Sequence, residues 1–255
     1  MKVLITNDDG IGSVGISALV SEIKKIADVT VVAPDTEQSA VGHAVTVSFP
    51  LRVTEHYKDR VFFGHAVSGT PADCVKLALK EILKEKPDMV ISGINQGANT
   101  GTHVIYSGTV SAATEAAILG VPSFAVSLGS YANRDFSVAA EFAKKLALVV
   151  REKGLPKDVL LNVNVPAVAK NEIKGARLTV QGKTRFVGAI EKRVDPRDKV
   201  YYWLTPEIVE VSGGPEFDTI AIQDNYISIT PLHYDMTARE QLNEFKKWNL
   251  EKLVV

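Results

Sequence analysis

Short apolar runs alternate with segments of helical periodicity over the first two thirds of the chain. The runs that resemble strands are KVLIT (2–6), VTVVAP (29–34), PDMVISG (87–93), PSFAVSL (122–128) and DVLLNVNVP (158–166). Apolar residues at helical spacing include Ile16, Leu19, Val20, Ile23 and Ile26, and further along Phe142, Leu146, Val149 and Val150. The alternation predicts an α/β fold whose mostly parallel sheet is covered by helices on both faces.

The pattern changes after residue 166. Two segments alternate like the strands of a hairpin, GARLTVQGKTRFVGAI (175–190) and KVYYWLTPEIVEVSGG (199–214). The second contains Tyr201, Tyr202 and Trp203, which suit an exposed ribbon or a partner surface. We therefore expect one domain with two parts, a core over 1–166 and a C-terminal part over 167–255.

Two further elements are predicted near the C-terminus. Residues 218–232, DTIAIQDNYISITPL, indicate a short helix, a turn at Asp224 and Asn225, and then a strand. Residues 237–253, TAREQLNEFKKWNLEKL, indicate a helix. Its apolar side is formed by Leu242, Phe245 and Leu253, with Trp248 at the edge.

Charge and cysteine content narrow the class of protein. The 255 residues include 29 basic and 30 acidic side chains, so binding to duplex nucleic acid through a basic surface is disfavoured. The single cysteine, Cys74, excludes an intrachain disulfide and fits a reducing compartment, and its apolar surroundings favour a buried thiol over a nucleophile. No signal peptide and no membrane-length apolar run are recognisable, so we expect a cytoplasmic protein with no membrane partner.

Polar residues collect where the predicted strands end. NDDG follows the first strand, APDTEQSAVGH follows the second, and INQGANTG follows PDMVISG. The carboxyl ends of parallel strands meet at one edge of a sheet, so these loops are expected to form one site. Asp8 and Asp9 offer carboxylates, and Ser39 and Asn95 offer neutral oxygens, a set that suits Mg²⁺ or Mn²⁺. The alternative is ordinary turn chemistry, since Asp and Asn are common turn residues.

The same stretch also matches a dinucleotide fingerprint. Gly10, Gly12 and Gly15 have the G-x-G-x-x-G spacing, and Asp35 lies where a ribose-binding acid is expected. The two aspartates in front of the glycines would repel a pyrophosphate unless a cation intervened. The two aspartates therefore favour a cation site over a dinucleotide site at this turn.

A predicted helix start supplies a place for an anion. Ser107, Gly108 and Thr109 begin the helical segment SGTVSAATEAAIL, and exposed N–H groups at a helix start bind phosphate well. The alternative is that the hydroxyls only cap the helix. A second helix start is predicted at the motif SGTPADC. Its residues Thr70, Pro71 and Asp73 form a capping pattern, so Asp73 is assigned a structural role.

A cation beside a phosphate cradle predicts metal-assisted hydrolysis of a phosphoester. His43, in SAVGHAV, is a candidate to protonate the leaving group or to hold a phosphate oxygen. The alternative for a lone loop histidine is a structural role. The chain has no G-x-x-x-x-G-K-[ST] motif, which disfavours a P-loop ATPase.

At these motifs the sequence resembles the SurE family, the stationary-phase survival proteins. The matching stretches are ITNDDGI, VVAPDTEQSAVGHAVT, SGTPADCV, ISGINQGANTG, VIYSGTVSAATEAAILGVPSFAVS and YISITPL. The resemblance implies a metal-dependent 5′-nucleotidase that acts on nucleoside monophosphates, with 3′-nucleotidase and exopolyphosphatase activity as further expectations. A non-catalytic nucleotide or cation sensor is the alternative from another class.

The resemblance also implies roles for single residues. The ligands of one divalent cation per subunit are then Asp8, Asp9, Ser39 and Asn95, with Asp9 also assigned to catalysis. The phosphate pocket is then lined by Asn99, Ser107, Gly108 and Thr109. The implied fold is a Rossmann-like three-layer core with a C-terminal hairpin and helix that reach a neighbouring subunit, which predicts a homodimer or homotetramer.

The chain departs from the family pattern at a few positions. Ser13 and Val14 replace Ala-Pro, Ala40 replaces glycine, and acidic residues are missing near Thr102 and His103. None of these changes removes an implied metal ligand. We expect Ala40 to restrict its loop, and we expect the loss of acidic charge to affect metal affinity or substrate preference.

Overall fold

A computed structural model describes residues 1–186, 189–205, 208–209 and 213–253. Its strands are β1 (Lys2–Thr6), β2 (Asp28–Pro34), β3 (Val53–Lys58), β4 (Val61–Val67), β5 (Met89–Gln96), β6 (Ser123–Leu128), β7 (Val159–Val165), β8 (Gly175–Leu178), β9 (Arg185–Phe186), β10 (Ala189–Val194), β11 (Val200–Thr205), β12 (Ile208–Val209) and β13 (Tyr226–His233). Its helices are α1 (Val14–Ile23), α2 (Pro71–Leu77), α3 (His103–Tyr106), α4 (Gly108–Ile118), α5 (Ser137–Lys153), α6 (Asp218–Gln223) and α7 (Leu242–Lys246).

One large sheet organises the part of the chain that the structure describes. Its nine strands lie in the order β3-β4-β2-β1-β5-β6-β7-β13-β8. Every neighbouring pair from β4 to β7 is parallel, whereas β3 is antiparallel to β4 and β13 is antiparallel to β7. The expected α/β fold with a mostly parallel sheet is confirmed. The sheet extends into the C-terminal part, because β13 and β8 complete it.

Helices cover both faces of the sheet and make a three-layer core. One buried cluster joins α1 and α5 to side chains such as Ile5 and Ile91, and clusters on the other face join α2 and α4 to Leu4 and Val90. Neighbouring residues of a strand point to opposite faces, so a strand buried on both sides has a continuous apolar sequence. This explains why the central strands were recognisable as unbroken apolar runs.

The start of α2 confirms the capping pattern. Thr70 Oγ1 accepts a hydrogen bond from Asp73 N at 3.1 Å, and Asp73 Oδ2 accepts one from Thr70 N at 3.0 Å. Asp73 also accepts from Thr46 N at 3.0 Å, so its carboxylate ties a distant loop to the helix. Cys74, next in the helix, is buried, and burial raises the pKa of its thiol well above the usual value. Asp73 and Cys74 therefore both have structural roles.

Two features of the core differ from the sequence-based expectation. The β3–β4 hairpin was not predicted: β3 is the edge strand of the sheet, β4 lies between β3 and β2, and Val53 and Val61 are both exposed. The prediction for α5 was wrong at Val149, which is 53% exposed. The buried face of α5 instead contains several alanines, Ala139, Ala140, Ala143 and Ala147, with Leu146 and Val150. Alanine gives a weak hydrophobic signal although it allows close helix packing.

The C-terminal hairpin pairs a different and shorter stretch of chain than its sequence pattern predicts. β10 pairs with β11, β9 pairs with β12, and β8 joins the main sheet beside β13. Tyr201, Tyr202 and Trp203 lie on β11 and are exposed, as expected for a ribbon. The predicted positions 187–188, 206–207 and 210–212 lie outside the described residues.

The predicted continuous helix over 237–253 was wrong. The segment forms α7 over only five residues, with short 3₁₀ turns at Arg239–Gln241 and Leu250–Lys252. Asn249 interrupts it in the left-handed conformation, with φ 53°. Phe245 and Trp248 pack edge to face at 4.8 Å, but both remain exposed because this segment has no core surface beneath it. The turn at Asn225, with φ 65°, is confirmed.

No helix among the described residues has the length and apolar content needed to cross a membrane.

Candidate active site

Loops at the carboxyl ends of the central strands meet in one pocket of about 350 Å³. The loops after β1, β2 and β5 and the start of α4 each contribute to it. Its lining residues are Asp8, Asp9, Glu37, Ser39, Ala40, Asn95, Gln96, Asn99, His103, Tyr106, Ser107 and Tyr131. The structure thus brings together the four oxygen donors predicted for a cation, and it places Asn99 and Ser107 beside them.

Asp8 is held by the start of α4. Its carboxylate accepts hydrogen bonds from Thr109 N at 3.0 Å and from the Thr109 hydroxyl. A Cβ on Gly108 would lie 2.8 Å from Asp8 Cβ, so only glycine permits this approach. Burial raises the pKa of Asp8, and the two bonds from Thr109 partly oppose that rise. The helix start therefore binds the Asp8 carboxylate itself.

Asp9 lies beside Asp8, and its carboxylate accepts fewer hydrogen bonds. Gln96 N donates to its Oδ2 at 3.2 Å. Burial, followed by the charge of Asp8, raises the pKa of Asp9 to about 7. No Lys or Arg is among the described residues that line the pocket, so no side chain compensates this pair. Both carboxylates can be fully ionised at neutral pH only when a cation lies beside them.

Ser39 and Asn95 supply neutral oxygens on the other side of the pocket. The Ser39 hydroxyl donates to the Glu37 carboxylate, which leaves its oxygen as an acceptor. The Asn95 amide nitrogen donates to Gly97 O at 2.7 Å, so the amide oxygen is the atom that remains for a ligand. The described residues contain no cluster of three or more His, Cys, Asp or Glu side chains arranged for a metal. Two carboxylates with neutral oxygens fit a hard cation such as Mg²⁺ or Mn²⁺.

The predicted phosphate residues divide into two pairs. Ser107 lines the pocket and caps α4, because its Oγ accepts from Val110 N at 3.1 Å. Asn99 also lines the pocket. Gly108 and Thr109 do not line it, because they pack against and bond to Asp8. The two hypotheses for the helix start, capping and anion binding, are therefore both compatible with Ser107.

Asn99 is held in place by a network of hydrogen bonds to polar side chains of the central sheet. Its N–H donates to Asn164 Oδ1 at 2.7 Å, and its carbonyl accepts from Asn162 Nδ2 at 2.8 Å and from Asn164 Nδ2 at 3.0 Å. Its own amide donates to Ser127 Oγ at 2.9 Å. All three partners are buried on β6 and β7, so the core strands determine where Asn99 meets the pocket.

His43 lies outside this pocket. Its Nε2 is 2.8 Å from Glu115 Oε2, and the buried Glu115 carboxylate also pairs with Lys76. His43 lines a separate cavity of about 980 Å³ that shares no lining residue with the carboxylate pocket. The contact with Glu115 anchors the loop that carries Ser39. The catalytic role of His43 stays a prediction.

Sequence reasoning missed several lining residues. Glu37 lies two residues before Ser39, so the sequence could have predicted that Glu37 is close to the pocket. Tyr131 follows β6, and the rule that ligands bind beyond strand ends applies to that loop as well. His103 was noted in the sequence only as a position near which acidic residues are missing. Burial lowers the pKa of His103, so the neutral imidazole is favoured at the pocket wall.

The departures from the family pattern have structural consequences. Ser13 caps α1 and accepts a hydrogen bond from Asn7 Nδ2 at 2.9 Å, which links the NDDG turn to the helix. Ala40 has φ 55°, a left-handed conformation that costs a residue with a Cβ about 1 kcal/mol. Thr102 donates to Thr184 in the C-terminal part, and His103 lines the pocket in place of an acid.

The glycine spacing has a packing explanation. A Cβ on Gly15 would lie 2.0 Å from Ile94 O, so Gly15 permits α1 to approach β5. Gly10 has φ 87° and makes the turn after Asp9. These two positions need glycine whether or not a dinucleotide binds, so the fingerprint carries no independent weight.

Sequence comparisons with known proteins identify the family of this chain. A model of the family described as survival protein SurE matches residues 3–188. The chain is 51% identical over 250 residues to the 5′-nucleotidase SurE of Syntrophobacter fumaroxidans, spanning 98% of this chain and 100% of that relative. It is 51% identical over 247 residues to the 5′-nucleotidase SurE of Syntrophus aciditrophicus, spanning 96% and 93%.

A solved structure supports the same conclusion. The SurE protein from Aquifex aeolicus matches with a TM-score of 0.84 and 39% sequence identity, covering 98% of this chain and 100% of that chain. Fold and site together define a Rossmann-like α/β protein with a paired-carboxylate pocket at the sheet edge. The chain belongs to the SurE family.

Proposed function

We propose that this protein is a metal-dependent phosphomonoesterase that hydrolyses nucleoside monophosphates to nucleoside and phosphate. The proposal is carried by the paired carboxylates of Asp8, which is buried, and Asp9, which is half-buried. They lie beside a helix start in a pocket without lysine or arginine among its described lining residues. The name of the relatives, 5′-nucleotidase SurE, supports a nucleotide as the substrate. Activity on 3′ esters and on polyphosphate stays a prediction.

The cation side of the pocket is assigned to four residues. Asp8, Asp9, Ser39 and Asn95 hold one Mg²⁺ or Mn²⁺ per subunit in this proposal. A bound divalent cation there supplies positive charge for phosphoryl oxygens and lowers the pKa of water. Thr109 orients the Asp8 carboxylate through two hydrogen bonds, and Gly108 leaves room for it. Asp9 is the carboxylate with the freer surroundings, which supports its assignment to catalysis.

The phosphate side is assigned to the start of α4 and to Asn99. The oxygen of Ser107 is used by the cap, so its hydroxyl hydrogen is the part offered to an anion. The side chain of Asn99 is held at the wall by Ser127. Phosphate binding by Gly108 and Thr109 stays a prediction, because the start of α4 binds the Asp8 carboxylate. In this proposal Ser107 and Asn99 orient the ester and stabilise charge on the departing oxygen.

His43 keeps its predicted role only on one condition. To protonate a leaving group it must approach the pocket, and its bond to Glu115 holds it away. We therefore assign Glu115 and His43 a supporting contact for the Ser39 loop and leave proton donation by His43 as a prediction.

Phosphate release tests the proposed function. The protein is incubated with a panel of nucleoside 5′- and 3′-monophosphates in Mn²⁺ or Mg²⁺, with and without a chelator. We expect inorganic phosphate from at least the 5′ esters and loss of release in chelator, because the paired carboxylates need a cation. Saturable nucleotide binding without any phosphate release would contradict hydrolysis and indicate a sensor.

We also propose a cytoplasmic homo-oligomer, dimer or tetramer. The exposed aromatic ribbon on β11 and the exposed apolar side chains of the 237–253 segment support a partner of the same chain. The single buried cysteine supports a reducing compartment.

A further inference from the structure

The two residues assigned to phosphate, Asn99 and Ser107, lie at the two ends of one loop. The core holds both ends, because Asn99 bonds to buried side chains of β6 and β7 and Ser107 caps α4. The stretch between them, residues 100–106, includes α3 and contributes His103 and Tyr106 to the wall of the carboxylate pocket. The conformation of this middle stretch therefore affects how the phosphate residues face the pocket.

The middle of the loop is anchored by the C-terminal part of the chain. Gly101 N donates to Asp218 Oδ2 at 2.9 Å, and Gly101 O accepts from Gln181 Nε2 at 2.7 Å. The next residue, Thr102, donates from its N–H to Thr184 Oγ1 at 3.1 Å and from its hydroxyl to Thr184 O. A Cβ on Gly101 would lie 2.0 Å from Thr184 Oγ1, so glycine permits this close contact between the two segments.

Asp218 is the junction of these contacts. It is the first residue of α6 and is buried. Its Oδ1 accepts from Gly182 N at 2.9 Å and from Thr219 N at 2.8 Å, whereas its Oδ2 accepts from Gly101 N. Residues 183–217, between Gly182 and Asp218 in the chain, contain β9, β10, β11 and β12. One carboxylate therefore closes the base of the C-terminal hairpin and ties that base to the active-site loop.

We propose that Asp218 is a positioning residue for phosphate binding, which acts through Gly101 on the loop that joins Asn99 to Ser107. The inference rests on the proposed function, since it assigns the support for the phosphate side of the same pocket. The cation side lies on different segments, namely the residues after β1, the loop after β2 and the end of β5. A change at Asp218 is therefore expected to lower the affinity for phosphate and to leave the affinity for the cation in place.

Asparagine at position 218 is a selective probe of the bond to Gly101. Because Oδ1 accepts from two backbone N–H groups and Oδ2 from one, the amide oxygen of asparagine is expected to take the place of Oδ1. The amide NH₂ group then faces Gly101 N, and two donors do not form a hydrogen bond. The N–H of the buried Gly101 loses its acceptor, which is expected to favour opening of the loop about ten-fold.

Amide hydrogen exchange of the full chain, followed by mass spectrometry, tests the anchor. In Asp218→Asn we expect exchange to be about ten-fold faster over residues 97–107 and unchanged over α1 and α5. Thr184→Ala removes the acceptor of Thr102 N without changing α6, and we expect faster exchange over the same loop. This second variant carries the test if Asp218→Asn does not fold.

The matched control is Asp73→Asn, which makes the same change on another buried carboxylate. Asp73 accepts from Thr46 N and from Thr70 N, so it joins a different loop to a different helix. In this control we expect exchange over residues 97–107 to stay at the wild-type rate.

Calorimetry with inorganic phosphate in the presence of Mn²⁺ tests the positioning role. Asp218→Asn is expected to weaken phosphate binding about ten-fold, while the Kd for Mn²⁺ measured without phosphate stays within about two-fold of wild type. The KM for a nucleoside monophosphate is expected to rise together with the Kd for phosphate. Asp73→Asn is expected to keep the phosphate affinity within about two-fold of wild type.

Each other outcome would overturn the proposal in a recognisable way. Unchanged exchange over residues 97–107 removes the anchor, and faster exchange with unchanged phosphate affinity removes the positioning role. Equal losses of phosphate and Mn²⁺ affinity indicate general destabilisation and also overturn it. If wild type binds phosphate but releases none from nucleotides, the proposed function fails and the phosphate affinity of Asp218→Asn still decides the role of Asp218. A wild-type protein that binds no phosphate overturns both.

Discussion

Asp9→Asn lowers kcat/KM for Mn²⁺-dependent phosphate release from a nucleoside monophosphate by about 1,000-fold or more, while the protein still folds. The physical reason is the loss of one of the two carboxylates assigned to the cation, since a cation contributes several kcal/mol and each 1.36 kcal/mol is a factor of ten. Asparagine retains an oxygen to accept from Gln96 N, so the local backbone is preserved. Thermal unfolding by circular dichroism checks the fold, and released phosphate measures the activity.

The control is Asp35→Asn, which makes the same chemical change on an exposed residue after β2. Its kcat/KM is expected to stay within about two-fold of wild type. Undiminished turnover in Asp9→Asn, or an equal loss in the control, contradicts the assignment of Asp9. The control also tests the dinucleotide interpretation, in which Asp35 is the ribose-binding acid.

In a chelator, the protein is expected to lose stability as pH rises from about 4 to about 7. The pKa of Asp9 is near 3.8 when unfolded and about 7 when folded, so over this window the unfolded state loses its proton first. Stability is therefore complete below the unfolded pKa and is reduced on the order of 4 kcal/mol above the folded pKa. The raised pKa of Asp8 acts in the same direction.

Melting temperatures in chelator at pH 5 and pH 8 measure this effect. Asp9→Asn removes the titrating group, so the difference between the variant and wild type isolates its contribution. We expect the variant to be the more stable of the two at pH 8, by about 10 °C in melting temperature, and equal at low pH. Added Mn²⁺ should raise the melting temperature of wild type most at pH 8. Identical pH profiles for the two proteins would show that burial and the charge of Asp8 do not raise the pKa of Asp9.

The central strands and the loops of the site were predictable for one physical reason. Parallel strands buried on both faces have continuous apolar sequences, and their carboxyl ends define one edge where Asp8, Ser39 and Asn95 must converge. The edge hairpin and the break at Asn249 were not predictable in this way. The outer strand β3 lacks an apolar run, and a helical pattern without a surface to pack against does not form a continuous helix.

The finer geometry of the site depends on tertiary contacts that sequence spacing does not encode. Thr109 is predicted as a phosphate ligand from its place at a helix start, yet its donors are directed to Asp8. The position of His43 is set by Glu115, which is 72 residues away. Tyr131 reaches the pocket only because β5 and β6 are neighbours. Local pattern identified the elements, whereas strand order determined which side chains meet.

Anomalous diffraction from crystals grown with Mn²⁺ tests the cation site most directly. We expect one manganese peak per subunit, in contact with the carboxylates of Asp8 and Asp9 and with oxygens of Ser39 and Asn95, and we expect no peak in Asp9→Asn crystals under the same conditions. A manganese peak elsewhere, or none in the wild-type pocket, would contradict a metal-dependent phosphatase site at this edge of the sheet.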